Sequence, residues 1–181
     1  MIVGLTGLAR TGKDTFAQYL VEKHKFRHFD FNKNVITPEM LSRKLEPTKM
    51  NASYTANSLR EKFGLGILAK RIVELIKENH LEKSKVIVTG FRDIKEVALV
   101  KKEFPEFKLV LLKADSEKRF ERKSSEDARD RKKFFERDKF DTEKAGMDKV
   151  FELADFEIEN DSTFEELCKK IDEVLKKLHA I

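Results

Sequence analysis

The chain has 181 residues, of which 40% are hydrophobic and 39% are charged. This length is typical of one domain with one core, and the apolar content excludes an intrinsically disordered chain. The net charge of +5 comes from 38 basic and 33 acidic residues interleaved along the chain, which suits anionic ligands without demanding nucleic acid.

Five short apolar runs are predicted to form buried β-strands, and segments with apolar residues at helical spacing lie between them. Strand and helix therefore alternate, which favours an α/β fold with a parallel sheet, right-handed crossovers and helices on both faces. In such a sheet, ligands bind at the carboxyl ends of the strands. The predicted strands cover residues 2–5, 28–31, 86–88, 109–112 and 156–158.

The segment directly after the first predicted strand reads GLARTGK over residues 7–13, and it fits the phosphate-loop pattern G-x-x-x-x-G-K. A predicted amphipathic helix starts near Lys13, so the motif has the context it requires. Glycine allows unusual backbone angles, the loop N–H groups converge on an anion, and the helix N-terminus adds positive partial charge. We predict that ATP is bound by Gly7, Ala9, Arg10, Thr11, Gly12, Lys13, Asp14 and Thr15.

The residue after Lys13 is Asp14, where phosphate loops usually carry the hydroxyl residue that binds Mg²⁺. Thr15 follows immediately and is our candidate for the Mg²⁺ shell. Asp14 could orient water bound to Mg²⁺, or it could act as an acidic residue in the positively polarised first turn of the helix, the role that we favour.

Two stretches differ from the rest of the predicted domain, which spans residues 1–181. The span 38–80 has no convincing strand and is predicted to be a helical insertion. The span 117–144 is dominated by charges that could form either an arginine-rich lid or a solvated helix with alternating charges. Its arginines are Arg119, Arg122, Arg129, Arg131 and Arg137.

The pattern G-x-x-x-x-G-K-x-T at residues 7–15 resembles the nucleoside monophosphate kinase superfamily, in which adenylate kinases also place Thr one position late. Further short motifs recur in order, including LREKFG at 59–64, GFR at 90–92, RFER at 119–122 and ERD at 136–138. Together they resemble an archaeal adenylate-kinase-like family related to dephospho-CoA kinases. The resemblance implies a P-loop kinase fold with a five-stranded parallel sheet, an acceptor-binding helical insertion, an arginine-bearing lid, and Mg·ATP as phosphoryl donor.

The resemblance also implies roles for single residues. Arg92 is similar to the arginine after the third strand that grips the acceptor phosphate, and Arg60 could reach the same anion from the insertion. Asn160 follows the last strand, where related kinases place polar groups beside adenine. Arg119 and Arg122 resemble the arginine pair at the base of the lid, and three further arginines lie where lid residues close on the transferring phosphoryl group. Those three are Arg129, Arg131 and Arg137.

The chain departs from the family at three positions. Thr89 stands at the end of the third strand, where relatives often have an acidic residue, and Asp30 or Asp93 could replace that carboxylate. Asn34 and Thr37 stand where relatives carry Asp and Arg, so we expect an altered acceptor site. The alternative to a small-molecule kinase is therefore a nucleotide-binding switch or weak ATPase with a degenerate acceptor site.

Catalysis by a kinase of this type would rest on Lys13, Arg92, Arg122 and Arg131, which neutralise charge on the transferring group. The four histidines show no metal-ligand spacing and are predicted to be ordinary surface or boundary residues. The single cysteine, Cys168, precludes an intrachain disulfide, and with no apolar run of about 18 residues we expect a cytoplasmic protein with no membrane partner. We expect a small-molecule phosphate acceptor, no nucleic acid, and either a monomer or a homodimer.

Overall fold

The computed structural model describes residues 1–122 and 130–179. Its sheet has five strands, all parallel, in the order β2-β3-β1-β4-β5. The predicted α/β fold with a five-stranded parallel sheet is thereby confirmed. The strands are β1 (Ile2–Thr6), β2 (Arg27–Asp30), β3 (Val86–Thr89), β4 (Lys108–Lys113) and β5 (Phe156–Glu159).

Helices fill the connections between the strands, as the alternating pattern predicted. Two π-helical turns join them, at Asn32–Ile36 and Phe140–Lys144. The α-helices of the described residues are α1 (Lys13–His24), α2 (Thr37–Ser42), α3 (Lys49–Phe63), α4 (Ile67–Glu78), α5 (Ile94–Glu103), α6 (Ser116–Glu121), α7 (Arg131–Lys139), α8 (Met147–Phe151) and α9 (Phe164–Lys177).

Each face of the sheet is covered by a separate layer of helices. Val3 and Ile87 pack with Phe16 of α1 and Ile171 of α9 on one face. On the other face, residues such as Val88 pack with apolar side chains of α4 and α5. Successive side chains of a strand point to opposite faces, so a strand that is buried on both sides is a continuous apolar run. This explains why the short strands could be recognised in the sequence.

One predicted strand was misplaced by one residue. We predicted the second strand at residues 28–31, but β2 ends at Asp30. Phe31 is fully buried and packs at 5.0 Å between ring centroids against Phe91, just before the π-helical turn. An apolar residue that leaves a strand to fill the core cannot be distinguished in the sequence from a residue of the strand itself.

The two unusual stretches are helical in the structure. The described residues 38–80 hold α2, α3 and α4 and no strand, as predicted for the insertion. The span 117–144 holds most of α6, all of α7 and a π-helical turn, while residues 123–129, including the predicted lid residue Arg129, lie outside the described residues. Within the described ranges, no helix combines the length and apolarity needed to cross a membrane.

Candidate active site

The phosphate loop lies between β1 and α1, at the carboxyl edge of the central strand. Its two glycines have left-handed backbone angles, with φ of 145° at Gly7 and 101° at Gly12. A Cβ on Gly7 would lie 2.3 Å from the carbonyl oxygen of Leu112, and one on Gly12 would lie 2.5 Å from Nδ2 of Asn160. Both positions therefore require glycine for conformation and for space.

Every carbonyl of the loop from residue 7 to residue 11 accepts a hydrogen bond from a side chain of the protein. Lys13 Nζ donates to the carbonyls of Gly7 at 2.8 Å and Leu8 at 2.6 Å. Because the C=O and N–H of a trans peptide point in opposite directions, these bonds direct the N–H groups to the other side of the loop, where they can face an anion. Thr11 Oγ1 also donates to the carbonyl of Leu8 at 3.0 Å. Of the other three carbonyls, that of Ala9 accepts from Arg119 at 3.1 Å, that of Arg10 from Arg122 at 3.0 Å, and that of Thr11 from Asn160 at 2.8 Å.

The first turn of α1 completes the anion-binding geometry. Gly12 occupies the N-cap position without a side-chain cap, so the helix N-terminus presents its N–H groups to a ligand. Asp14 and Thr15 follow in the first turn, and both are exposed. A hydroxyl and a carboxylate at this place suit Mg²⁺, which binds proteins through few oxygen ligands and keeps contacts to substrate phosphates. Among the described residues, no group of three or more His, Cys, Asp or Glu could hold a metal.

The ammonium group of Lys13 is subject to burial and to the charges of one carboxylate and three arginines. Burial, the largest cause, and the charges of Arg92, Arg137 and Arg119 together lower its pKa from 10.5 to about 8, while Asp14 opposes the shift. The three arginines come from the loop after β3, from α7 and from α6. Positive charge that acts on a buried lysine beside a phosphate loop favours the binding of a polyanion.

The other contacts of Arg119 explain its burial. Its guanidinium pairs with Asp138 at 2.5 Å and also donates to the carbonyl of Ala114. Only 3% of Arg119 is exposed. The observed contacts thus fix the phosphate loop to α6 and α7, and the predicted direct contact of Arg119 with nucleotide stays a prediction.

Arg122 and Asn160 also connect the loop to its surroundings. Arg122 donates to the carbonyl of Asn160 as well as to that of Arg10. The Asn160 side chain is buried against Thr11, and its backbone N–H donates to Lys113. Their predicted roles in phosphoryl transfer and at the adenine stay predictions, because the observed contacts are to protein.

Arg92 and Arg131 occupy different environments. Arg92 is exposed and lies 3.6 Å from Asp141, which also lies 3.7 Å from Arg137. Arg131 pairs with the exposed carboxylate of Glu117 at 2.6 Å. Of these two arginines, Arg92 is the one whose charge lowers the pKa of Lys13.

Three aromatic rings of α6 and α7 pack together near the phosphate loop. Phe120, Phe134 and Phe135 contact one another with centroid separations of 5.4 to 6.1 Å, and we call them the lid aromatic cluster. The Arg10 guanidinium lies 4.9 Å from the centroid of Phe134, and Arg131 lies over Phe120 and Phe135. The contact of Arg10 with Phe134 joins the phosphate loop to α7.

Arg60, which could reach the acceptor anion from the insertion, contacts a carboxylate of the protein in the structure, so that role stays a prediction. Its guanidinium pairs with Glu96 at 2.8 Å, and Glu96 is fully buried. The other oxygen of Glu96 accepts the backbone N–H groups of Arg92 and Asp93. The insertion therefore holds the turn that carries Arg92, and burial raises the pKa of Glu96.

Asp30, one of the two candidates for the missing carboxylate at the end of β3, lies beside Thr89 on the neighbouring strand. Thr89 is paired in register with Asp30 at the end of β2, and its hydroxyl donates to Asp30 Oδ2 at 2.6 Å. Nε2 of His28 lies 2.9 Å from the same hydroxyl. Asp93, the other candidate, instead caps α5 by accepting from Lys95 at 2.7 Å. The sequence predicts no function for His28. The pattern that could have indicated one is its position two residues before Asp30 in the same strand, which places both side chains on one face.

The order of the strands, with a phosphate loop joining the central strand to its helix, defines a P-loop nucleotide-binding protein with the kinase-type fold. The chain belongs to the AAA domain family, whose profile matches residues 3–146, and to the UPF0200 family.

Relatives of this family match nearly the whole chain. A UPF0200 protein of Methanocaldococcus jannaschii is 30% identical over 98% of this chain and 90% of its own length. A UPF0200/UPF0201 protein of Archaeoglobus fulgidus is 34% identical over 98% of this chain, but the chain spans only 55% of that protein.

Solved structures with the same fold include two shikimate kinases. The enzyme of Aquifex aeolicus has a TM-score of 0.56 and 20% identity, with 97% of this chain and 96% of that chain covered. The enzyme of Acinetobacter baumannii, in complex with shikimate, has a TM-score of 0.55 and 18% identity, covering 97% and 93%. At these identities, the similarity shows the fold.

Proposed function

We propose that this protein is an ATP-dependent small-molecule kinase that transfers the γ-phosphoryl group to a nucleotide-like or coenzyme-like acceptor. The acceptors expected from the sequence are nucleoside or deoxynucleoside monophosphates and dephospho-CoA. The observation that carries the proposal is the phosphate loop, in which every carbonyl from residue 7 to residue 11 accepts a side-chain hydrogen bond. The charges of Arg92, Arg137 and Arg119, which lower the pKa of the loop lysine Lys13, support it.

Phosphoryl transfer needs alignment of donor and acceptor and neutralisation of the charge that spreads over the transferring oxygens. Bound Mg²⁺ would supply part of that positive charge, and Thr15 with Asp14 would hold it or its water. Lys13 would leave the carbonyls of Gly7 and Leu8 for the phosphate oxygens. Arg92 is exposed and can turn its planar guanidinium toward an acceptor anion.

A coupled assay of ADP release with Mg·ATP tests the proposal. The acceptors are nucleoside and deoxynucleoside monophosphates, dephospho-CoA, and shikimate, which is included because shikimate kinases share the fold. We expect one acceptor to stimulate turnover and Lys13→Ala to abolish it. The matched control is Lys101→Ala, which removes an exposed lysine of α5.

The alternative function is a nucleotide-binding switch or weak ATPase. It predicts tight ATP binding with no stimulation by any acceptor, and that result would overturn the kinase proposal. A protein that binds no ATP would overturn both.

A further inference from the structure

The strand ends beside the phosphate loop form a row of three residues. Leu5 of β1 is in register with Thr89 of β3, and Thr89 is in register with Asp30 of β2. Neighbouring strands lie about 4.8 Å apart, so the backbone of Asp30 is roughly 10 Å from the strand that leads into the loop. This is a distance that a small acceptor and a γ-phosphoryl group can span.

The carboxylate of Asp30 is held in one orientation. Oδ1 of Asp30 accepts the backbone N–H of Lys33 at 2.9 Å. The backbone N–H of Asp30 donates to Oδ1 of Asn34 at 2.7 Å. Its Oδ2 accepts the hydroxyl of Thr89, which is 4% exposed. A carboxylate has about four acceptor positions, so Asp30 keeps capacity for a further donor.

The direction of the hydrogen bonds follows from the number of protons. An ionised carboxylate only accepts, and the Thr89 hydroxyl gives its single proton to Asp30, so it must accept from His28. Burial lowers the pKa of His28 below its ordinary 6.5 despite the nearby charges of Asp30 and Asp14, and Lys33 lowers it further. The ring is therefore neutral at pH 7 and donates through Nε2, and the chain of bonds runs from His28 through Thr89 to Asp30.

We propose that Asp30, oriented by Thr89 and His28, is the general base of the reaction, and that the acceptor is a small anion whose nucleophile is a hydroxyl group. This inference rests on the proposed kinase function and narrows its substrate class. A phosphate nucleophile is already ionised near neutral pH, needs no base, and would be repelled by a carboxylate. A hydroxyl nucleophile is neutral and must lose its proton as it attacks.

The proposed step moves the γ-phosphoryl group to the acceptor oxygen and the proton of that oxygen to Asp30. The acceptor oxygen forms a bond to the γ-phosphorus, and its proton passes to a carboxylate oxygen of Asp30. The bond between the γ-phosphorus and the bridging oxygen breaks, and ADP leaves with that electron pair. Asp30 then releases the proton to solvent. Arg92 binds the anionic group of the acceptor that does not react, which explains why a cationic grip and a base occur together.

The test compares wild type with Asp30→Asn, which keeps the shape and the contact with Thr89 but not the basicity. Hydroxyl acceptors are dephospho-CoA and shikimate, and phosphate acceptors are the nucleoside monophosphates. ATP hydrolysis without acceptor serves as a further assay, because water is itself a hydroxyl nucleophile. We expect turnover of the hydroxyl acceptor and of water to fall by about 10²-fold or more, with unchanged affinity for a fluorescent ATP analogue.

Two further variants define the role of the neighbours. Thr89→Val breaks the hydrogen-bond chain and should lower the rate by a smaller factor than Asp30→Asn. Glu106→Gln removes an exposed carboxylate at the opposite end of the sheet and should leave the rate unchanged. Phosphorus NMR of the product distinguishes a phosphate ester, as expected, from a phosphoanhydride.

Other results would overturn either this inference or the proposed kinase function. A phosphoanhydride product, or an Asp30→Asn variant with the wild-type rate, would overturn the hydroxyl acceptor and leave the kinase function standing. A variant whose rate is restored by higher Mg²⁺ would show that Asp30 acts on the metal, which also overturns the inference. Loss of ATP binding in the wild-type protein would instead refute the proposed function itself.

Discussion

At the scale of single residues, Lys13 is the group whose protonation reports ligand binding. Its pKa of about 8 in the free protein means that it is about half charged at pH 8. Polyphosphate beside the ammonium favours the charged form and raises that pKa. We therefore predict uptake of about half a proton on binding of Mg·ATP at pH 8, and less at pH 7.

Titration calorimetry in buffers of different ionisation enthalpy measures this uptake. Lys13→Arg provides the control, since arginine stays charged at any relevant pH and should take up no proton at this position. Equal uptake by the variant and wild type would assign the proton to another group.

Glycine at position 7 is needed for two separable reasons. Gly7 and Gly146 both have a positive φ, at 145° and 73°. A Cβ added at Gly7 would collide with the Leu112 carbonyl, whereas a Cβ added at Gly146 would point into open space. Gly146→Ala should cost about 1 to 2 kcal/mol, the left-handed penalty alone. Gly7→Ala should cost more and abolish ATP binding, because the loop must move.

Urea denaturation and nucleotide titration of the two variants check this difference. Gly146→Ala serves as the control for backbone strain. If the two substitutions had equal effects, the close approach to Leu112 would have no energetic consequence.

At the scale of elements, the buried pair of Arg60 on α3 and Glu96 on α5 joins the insertion to the turn that carries Arg92. Burial raises the pKa of Glu96 above its ordinary 4.5, while Arg60 and two backbone N–H groups oppose that shift. The folded protein thus holds this proton more tightly than the unfolded chain. The associated stability is fully present below pH 4.5 and is lost as pH rises through the folded pKa.

We predict that wild type loses stability relative to Glu96→Gln as pH rises through that window. Glu103 lies on the same helix and pairs with Lys77, which lowers its pKa, so the stability it contributes is lost as pH falls. Urea denaturation at several pH values should therefore give slopes of opposite sign for Glu96→Gln and Glu103→Gln. Parallel slopes would mean that Glu96 is not the buried titrating group that the structure indicates.

The pair of Arg60 and Glu96 should also contribute to the stability of the whole fold. Arg60→Met would leave the Glu96 carboxylate buried without a cation, at a cost of about 3 to 5 kcal/mol. Arg71→Met removes a partly exposed partner of Glu39 in the same insertion and should cost much less. Thermal denaturation of both variants measures the difference, and similar melting temperatures would contradict it.

At the scale of the whole molecule, nucleotide should stabilise the fold by mass action. Ligand at 100 times its Kd adds about 2.7 kcal/mol, which for a protein of this size raises Tm by roughly 5 to 10 °C. Differential scanning fluorimetry with and without Mg·ATP tests this prediction, and Lys13→Ala should lose most of the shift. An equal shift in the variant would place the bound nucleotide elsewhere.

The sequence predicted the parts of the molecule that depend on local pattern. Five apolar runs identified the strands, and the glycine and lysine spacing identified the phosphate loop. Contacts between side chains that are distant in the sequence could not be predicted. Nothing near Arg119 in the sequence marks Asp138 of α7 as its partner, so a residue predicted to bind nucleotide is buried and holds the loop backbone. His28 was missed because its significance comes from Thr89, 61 residues away.

The lid aromatic cluster also offers an optical probe. The chain contains 15 phenylalanines, two tyrosines and no tryptophan. A tryptophan in place of Phe135, which is partly buried against Phe120 and beneath Arg131, would be the sole indole fluorophore of the molecule. The predicted movement of the Arg131 guanidinium from this ring to phosphate would change the emission, so stopped-flow fluorescence would test in real time whether the lid closes.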